Sequence, residues 1–223
     1  MKIIARIHTD YKEKFGIPRQ SGIDGGGVGR VVFLPEYRVP EALRGLEGYS
    51  HLWLIWQFSE AVRDGWSPTV RPPRLGGNKR VGVFATRSPY RPNPVGLSSV
   101  KLLGIEHTEK EGDVLIVEGA DMLDGTPIYD VKPYLAYTDS HPEATGGFAD
   151  GVRDYKLEVR CSEELLSPLD VEKREQLLKV LEGDPRPSYQ DDPEREYGMR
   201  YASYEVKFKV AEGVLTVTSI YCI

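Results

Sequence analysis

Short apolar runs separated by Gly, Pro and Asp dominate the first half of the chain, and helical spacing enters only late. Ile3–Ile7, apolar at both ends, reads as a first strand. The Gly-rich run Ser21–Gly29 reads as a hairpin loop leading into strand Arg30–Leu34. Val39–Leu46 has Pro40 near its start and Gly45 near its end, which predicts a short helix. Ser50–Phe58 (SHLWLIWQF) is aromatic and apolar with few breakers, the signature of a buried strand. His51 lies within it without a second His, Cys or paired carboxylate at ligand spacing, so it reads as a hydrogen-bonded core residue. Val95–Ile105 and Asp113–Glu118 read as two strands joined by a turn. Asp124-Gly125, followed by Thr126-Pro127, marks a tight turn before strand Ile128–Lys132.

Composition turns polar and Gly-rich over residues 138–151, which places a domain boundary there, dividing the chain into 1–138 and 139–223. Beyond it, Tyr155–Cys161 reads as a strand and Pro168–Glu182 as a helix, with Leu169, Leu177, Leu178 and Leu181 at helical spacing. Ser203–Val210 and Val214–Ile220 form a hairpin around Ala211-Glu212-Gly213. The pattern is mainly β and α+β overall: a barrel-like antiparallel sheet followed by a small α+β C-terminal domain. The run 21–29 matches GxGxxG in no register and lacks the P-loop lysine, so the fold is not Rossmann.

Charge changes the picture of one stretch. Residues 65–105 carry seven of the 29 Lys and Arg and none of the 34 Asp and Glu, so this segment is +7 while the rest of the chain is −12. Within it, Arg71–Ser99 (RPPRLGGNKRVGVFATRSPYRPNPVGLSS) alternates rigid prolines with permissive glycines, as chains do where a backbone shape must be fixed. Arg87 and Arg91 are forked donors suited to phosphate or carboxylate, and Tyr90 between them offers a stacking face. A positive face on an acidic body suits an anionic ligand such as RNA or a nucleotide.

Other chemistries have little support. The chain has no GxSxG, no HExxH and no Cys–His pair placed for nucleophilic work, and Cys161 and Cys222 make neither a CxxC metal site nor a disulfide framework. No run approaches the ~20 apolar residues of a membrane helix, and MKIIARIHTDYKEKF turns polar too early for a signal peptide. These features favour a reducing cytoplasm.

GVFATRSPYRPNPVG, preceded by RPPRLGGN and followed by LDGTPIYDVKPYL, closely resembles the TrmO (YaeB-like) tRNA methyltransferase family. IHTDYKEKFGIPRQ, LRGLEGYSHLWLIWQF and the late DPRPSY look like the same family, collinearly from about residue 3 to 190. The resemblance implies a single-sheet antiparallel β-barrel and a homodimer with S-adenosylmethionine near the subunit interface. It also implies methylation of the exocyclic amino nitrogen of threonylcarbamoyl-adenosine, next to the anticodon of tRNA. By position it points to Pro18, Arg19, Gln20, Arg87, Leu97, Ser98, Asp124, Gly125 and Thr126 as cofactor contacts. Ser59 and Glu60 fall where some members have His-Gln, a departure at two further cofactor positions. Arg87 and Asp124 are the catalytic candidates, and Arg71, Arg74, Arg91, Lys132, Arg186 and Tyr189 the tRNA-binding ones. No metal is implied. The alternative reading is a non-catalytic dimeric barrel that binds S-adenosylmethionine or RNA.

Overall fold

The computed structural model describes every residue except 15, 19–26, 73–74, 76–78, 153–154 and 187–191. Its first strands are β1 (Ala5–His8), β2 (Val28–Phe33), β3 (His51–Gln57), β4 (Thr69–Val70), β5 (Val81–Gly82), β6 (Val95–Thr108), β7 (Gly112–Glu118) and β8 (Thr126–Pro133). Six of them pair in the order β1-β2-β7-β6-β3-β8, and β8 returns to β1, closing an antiparallel barrel. Closure leaves these strands without an unpaired edge. The two-residue side-chain period explains why β3 holds together: Leu52, Leu54 and Trp56 point inward, while Trp53 and Ile55 alternate with them. Ala5, Ile7, Val31, Val100, Leu115, Val117 and Ile128 complete the interior. Each fully buried aliphatic side chain of this kind contributes about 1.5–3 kcal/mol.

Trp56 is opposite Gly96 in the β3–β6 ladder. A Cβ on Gly96 would clash with the indole carbons of Trp56, so glycine here is a packing requirement.

After α1 (Ala136–Asp139) the chain builds β9 (Glu158–Arg160), α2 (Glu163–Leu166), α3 (Val171–Glu182), β10 (Tyr197–Tyr201), β11 (Tyr204–Ala211) and β12 (Val214–Cys222). Asp170 caps α3, its carboxylate accepting from the Lys173 N–H at 2.9 Å. The sheet order is β10-β11-β12-β9, with β9 parallel to β12. Leu177, Val180 and Leu181 of α3 pack with Met199, Tyr201, Val206, Phe208 and Leu215 in a second core, which Tyr11 joins from the N-terminal part of the chain.

Two expectations fail. Residues 39–46 form no α-helix: Pro35–Tyr37, Pro40–Leu43 and Leu46–Gly48 are separate 3-10 turns, interrupted where Gly45 takes φ +88°. His51 is no core residue; it begins β3 in the outward phase, exposed, with Nδ1 3.0 Å from the Ser50 hydroxyl.

Candidate active site at one end of the barrel

The registers His8↔Arg30, Val28↔Glu118, Gln57↔Val95 and Ile7↔Thr126 bring six strand ends to one end of the barrel. Three long connections leave from this end: residues 9–27, 58–94 and 119–125. The described members of the sequence-derived cofactor set all fall on these connections or the adjoining strand ends.

Asp124 is the centre of the best-defined cluster. Its Oδ1 accepts the Thr9 N–H at 3.1 Å and lies 3.3 Å from His8 Nδ1, and its Oδ2 accepts from the Lys12 ammonium at 2.9 Å. Partial burial disfavours the charged carboxyl, but the Lys12 ammonium and the Thr9 N–H outweigh burial, with His8 adding to them, and hold it below the usual carboxylate range. A carboxylate has about four acceptor positions; among the described residues two are filled by hydrogen bonds, His8 lies beside a third, and the side chain is 27% exposed, which leaves room for a ligand donor. Gly125 makes the turn possible at φ +76°, and its carbonyl accepts from Arg6 at 2.7 Å. Thr126 is buried, its hydroxyl donating to the Leu123 carbonyl at 2.7 Å, so its side chain shapes the turn.

Ser98 is also buried: it accepts from the Trp56 indole N–H at 2.9 Å and donates to Asp121 Oδ1 at 2.6 Å. Leu97, beside it in sequence, is 57% exposed. Ser59 and Glu60 open the 58–94 connection in a 3-10 turn, where Glu60 pairs with Lys14 at 2.9 Å. Pro18 is buried. Arg19 and Gln20 lie outside the described residues, as do Arg74 and Tyr189.

The 58–94 connection is cinched at its base, where the Phe58 N–H donates to the Pro94 carbonyl at 2.9 Å, and again at 2.9 Å between the Val83 N–H and Pro68. β4 and β5 pair antiparallel within it, Thr69 opposite Gly82 and Val70 opposite Val81. Arg71 and Arg87 are exposed on this connection. Arg91 is tied to its own loop, its guanidinium donating to the Thr86 carbonyl at 3.0 Å. One face of Tyr90 carries the Arg63 guanidinium at 4.4 Å, so a base has at most the other face.

One tRNA-binding expectation is corrected. Arg186 is buried, with a two-pronged ion pair to Asp184 at 2.9 and 3.0 Å; the guanidinium organises its own turn and is not presented to a phosphate. Lys132, another of the tRNA-binding candidates, sits six residues along β8 from Thr126, about 20 Å away at strand rise; its side chain is exposed and pairs with Asp130 at 3.2 Å. The sequence reading missed Thr9, Lys12, Trp56 and Asp121, whose partners are distant in the chain; only the strand phase of Trp56 was a signal.

Among the described residues no group of three or more His, Cys, Asp and Glu could hold a metal ion. No described helix is long and apolar enough to cross a membrane.

The model of the tRNA-methyltransferase O N-terminal domain matches residues 6–140, and that of the TrmO C-terminal domain residues 154–223. The tRNA (adenine(37)-N6)-methyltransferase of Escherichia coli K12 is 39% identical, over 97% of this chain and 95% of that protein. A Pyrococcus abyssi protein named "Probable S-adenosyl-L-methionine-binding protein" is 38% identical over 61% of this chain and 68% of its own. The crystal structure of TrmO from Pseudomonas aeruginosa superposes with a TM-score of 0.76 at 33% identity, covering 98% of this chain and 97% of that one. The chain belongs to the TrmO family.

Proposed function

We propose that this protein is an S-adenosylmethionine-dependent methyltransferase that modifies the exocyclic amino nitrogen of threonylcarbamoyl-adenosine next to the anticodon of tRNA. The observation that carries this reading is the convergence of three long connections at one barrel end in a TrmO-family chain. Asp124, an ionised acceptor, lies on one of these connections, and the exposed cations Arg71 and Arg87 lie on another.

The residues present fit the cofactor's chemistry. Asp124 suits its ammonium or hydroxyl donors, Arg87 its carboxylate, and the exposed Leu97 its apolar parts. S-adenosylmethionine supplies a methyl group already activated on a sulfonium. The protein's task is therefore mainly alignment. Lys12 and Thr9 keep Asp124 charged and fixed, and the Trp56–Ser98–Asp121 bonds tie the start of β6 to the 119–125 connection. Arg87 binds a carboxylate or stabilises negative charge on the acceptor as its N–H proton is lost. Arg71 meets tRNA phosphates.

In this reading residues 1–138 are the methyltransferase unit and 139–223 support tRNA binding or the dimer. A homodimer belongs to the reading as well: Trp66 and Phe84, 51% and 72% exposed with ring centroids 5.8 Å apart, put apolar surface on the 58–94 connection. The protein works in the cytoplasm, where its tRNA is. The test is methyl labelling of tRNA with and without the threonylcarbamoyl group; only the modified tRNA accepts label, and equal labelling of both overturns the substrate.

A further inference from the structure

The connection 9–18 touches both halves of the molecule with alternate groups. Toward the barrel, the Thr9 N–H and the Lys12 ammonium hold Asp124, the Thr9 hydroxyl donates to the Met122 carbonyl at 3.0 Å, and Lys14 pairs with Glu60 at 2.9 Å. The Asp124 N–H in turn donates to the Tyr11 carbonyl at 2.8 Å. Toward the C-terminal sheet, Tyr11 is buried in the second core and Ile17 packs on it. A Cβ on Gly16 would come 2.6 Å from the Met199 methyl, so this backbone lies directly on β10.

β10 is the edge strand of that sheet, and an edge strand presents N–H groups that need partners. The strap supplies two. The Ala202 N–H, just past the end of β10, donates to the Asp10 carbonyl at 2.9 Å, and the Arg200 N–H donates to Glu13 Oε1 at 2.7 Å. Lys12, Glu13 and Lys14 are thus consecutive residues with three different anchors: Asp124, β10 and Glu60.

The geometry points to Glu13 as a positioning residue for the S-adenosylmethionine site: by docking the strap on the edge of β10, it sets where Lys12 and Lys14 hold Asp124 and Glu60. The C-terminal sheet is then part of the cofactor site's frame. This rests on the cofactor reading above. Among the described cofactor candidates Glu13 is hydrogen-bonded to none; it acts through the segment 9–18. Its bond to Arg200 needs an acceptor oxygen and no charge, so glutamine preserves it and alanine removes it.

The experiment is calorimetric titration of S-adenosylmethionine into the full-length wild type, Glu13→Ala and Glu13→Gln, at a temperature where circular dichroism shows all three folded. Glu13→Ala is expected to weaken binding about tenfold. Its kcat at saturating cofactor stays within about twofold, because a ground-state positioning loss falls on KM. Glu13→Gln binds like wild type. Equal affinity of Glu13→Ala and wild type overturns the inference while leaving the function standing. So does a Glu13→Gln variant as weak as Glu13→Ala. A wild type that does not bind S-adenosylmethionine overturns both.

Discussion

The Trp56 indole N–H donates to the Ser98 hydroxyl at 2.9 Å, and that hydroxyl donates onward to Asp121 at 2.6 Å. One buried oxygen therefore joins β3, β6 and the connection that carries Asp124. Ser98→Ala leaves the indole N–H without this acceptor, an expected cost of about 1–3 kcal/mol. Thermal unfolding reads this as a drop of about 2–4 °C per kcal/mol for a chain of this size. An unchanged melting temperature would show that water replaces the hydroxyl.

Gly96→Ala places a methyl in steric overlap with the Trp56 ring carbons. β3 and β6 cannot both keep their register around it. Overpacking of this kind costs about 1–3 kcal/mol, and Trp56 fluorescence should shift as the indole is displaced. Wild-type stability with unshifted emission would contradict the packing described for this pair.

Asp124 makes stability depend on pH with a definite sign. Its carboxyl is held below the usual range, so the Lys12 and Thr9 contacts stabilise the fold above the unfolded-state value of about 3.9. That contribution is lost as pH falls through the lower folded value. Asp124→Asn should flatten this acid limb in pH-dependent denaturation and weaken S-adenosylmethionine binding. An acid limb identical to wild type would remove Asp124 from the account.

Arg186 and Arg71 should behave as opposites. Arg186→Ala removes the guanidinium from the buried Asp184 carboxylate, which keeps the Tyr155 hydroxyl at 3.0 Å, and breaking such a pair costs up to about 3–5 kcal/mol; the dependence of tRNA affinity on salt should not change slope. Arg71→Ala should leave stability alone and reduce that slope by about one counterion. A reversed pattern would return Arg186 to the tRNA-facing set.

Much of the barrel was legible because its strands follow the two-residue period, as Leu52, Leu54 and Trp56 show. The hairpin of β11 and β12 was legible from its Ala211-Glu212-Gly213 turn. β10 was not: Tyr-Gly-Met-Arg-Tyr is short and mixed, and tertiary burial of Tyr197, Met199 and Tyr201 makes it a strand. Residues 39–46 misled because Pro40 and Gly45 mark turns as well as helix ends. At the site, family resemblance located Asp124 and Ser98, but the residues that hold them were invisible. Lys12 meets Asp124 across 112 positions, and Asp121 meets Ser98 only because β6 and the 119–125 connection share one barrel end. Arg186 failed for the opposite reason: nothing in Asp-Pro-Arg shows that the acid folds back on its own neighbour.

The most direct measurement is mass spectrometry of nucleosides from tRNA incubated with the protein and S-adenosylmethionine. The expected result is one added methyl on the adenine exocyclic nitrogen of threonylcarbamoyl-adenosine, absent when Arg87→Ala replaces the wild type. A methyl found on another nucleoside, or none at all with bound cofactor, would contradict the proposed function.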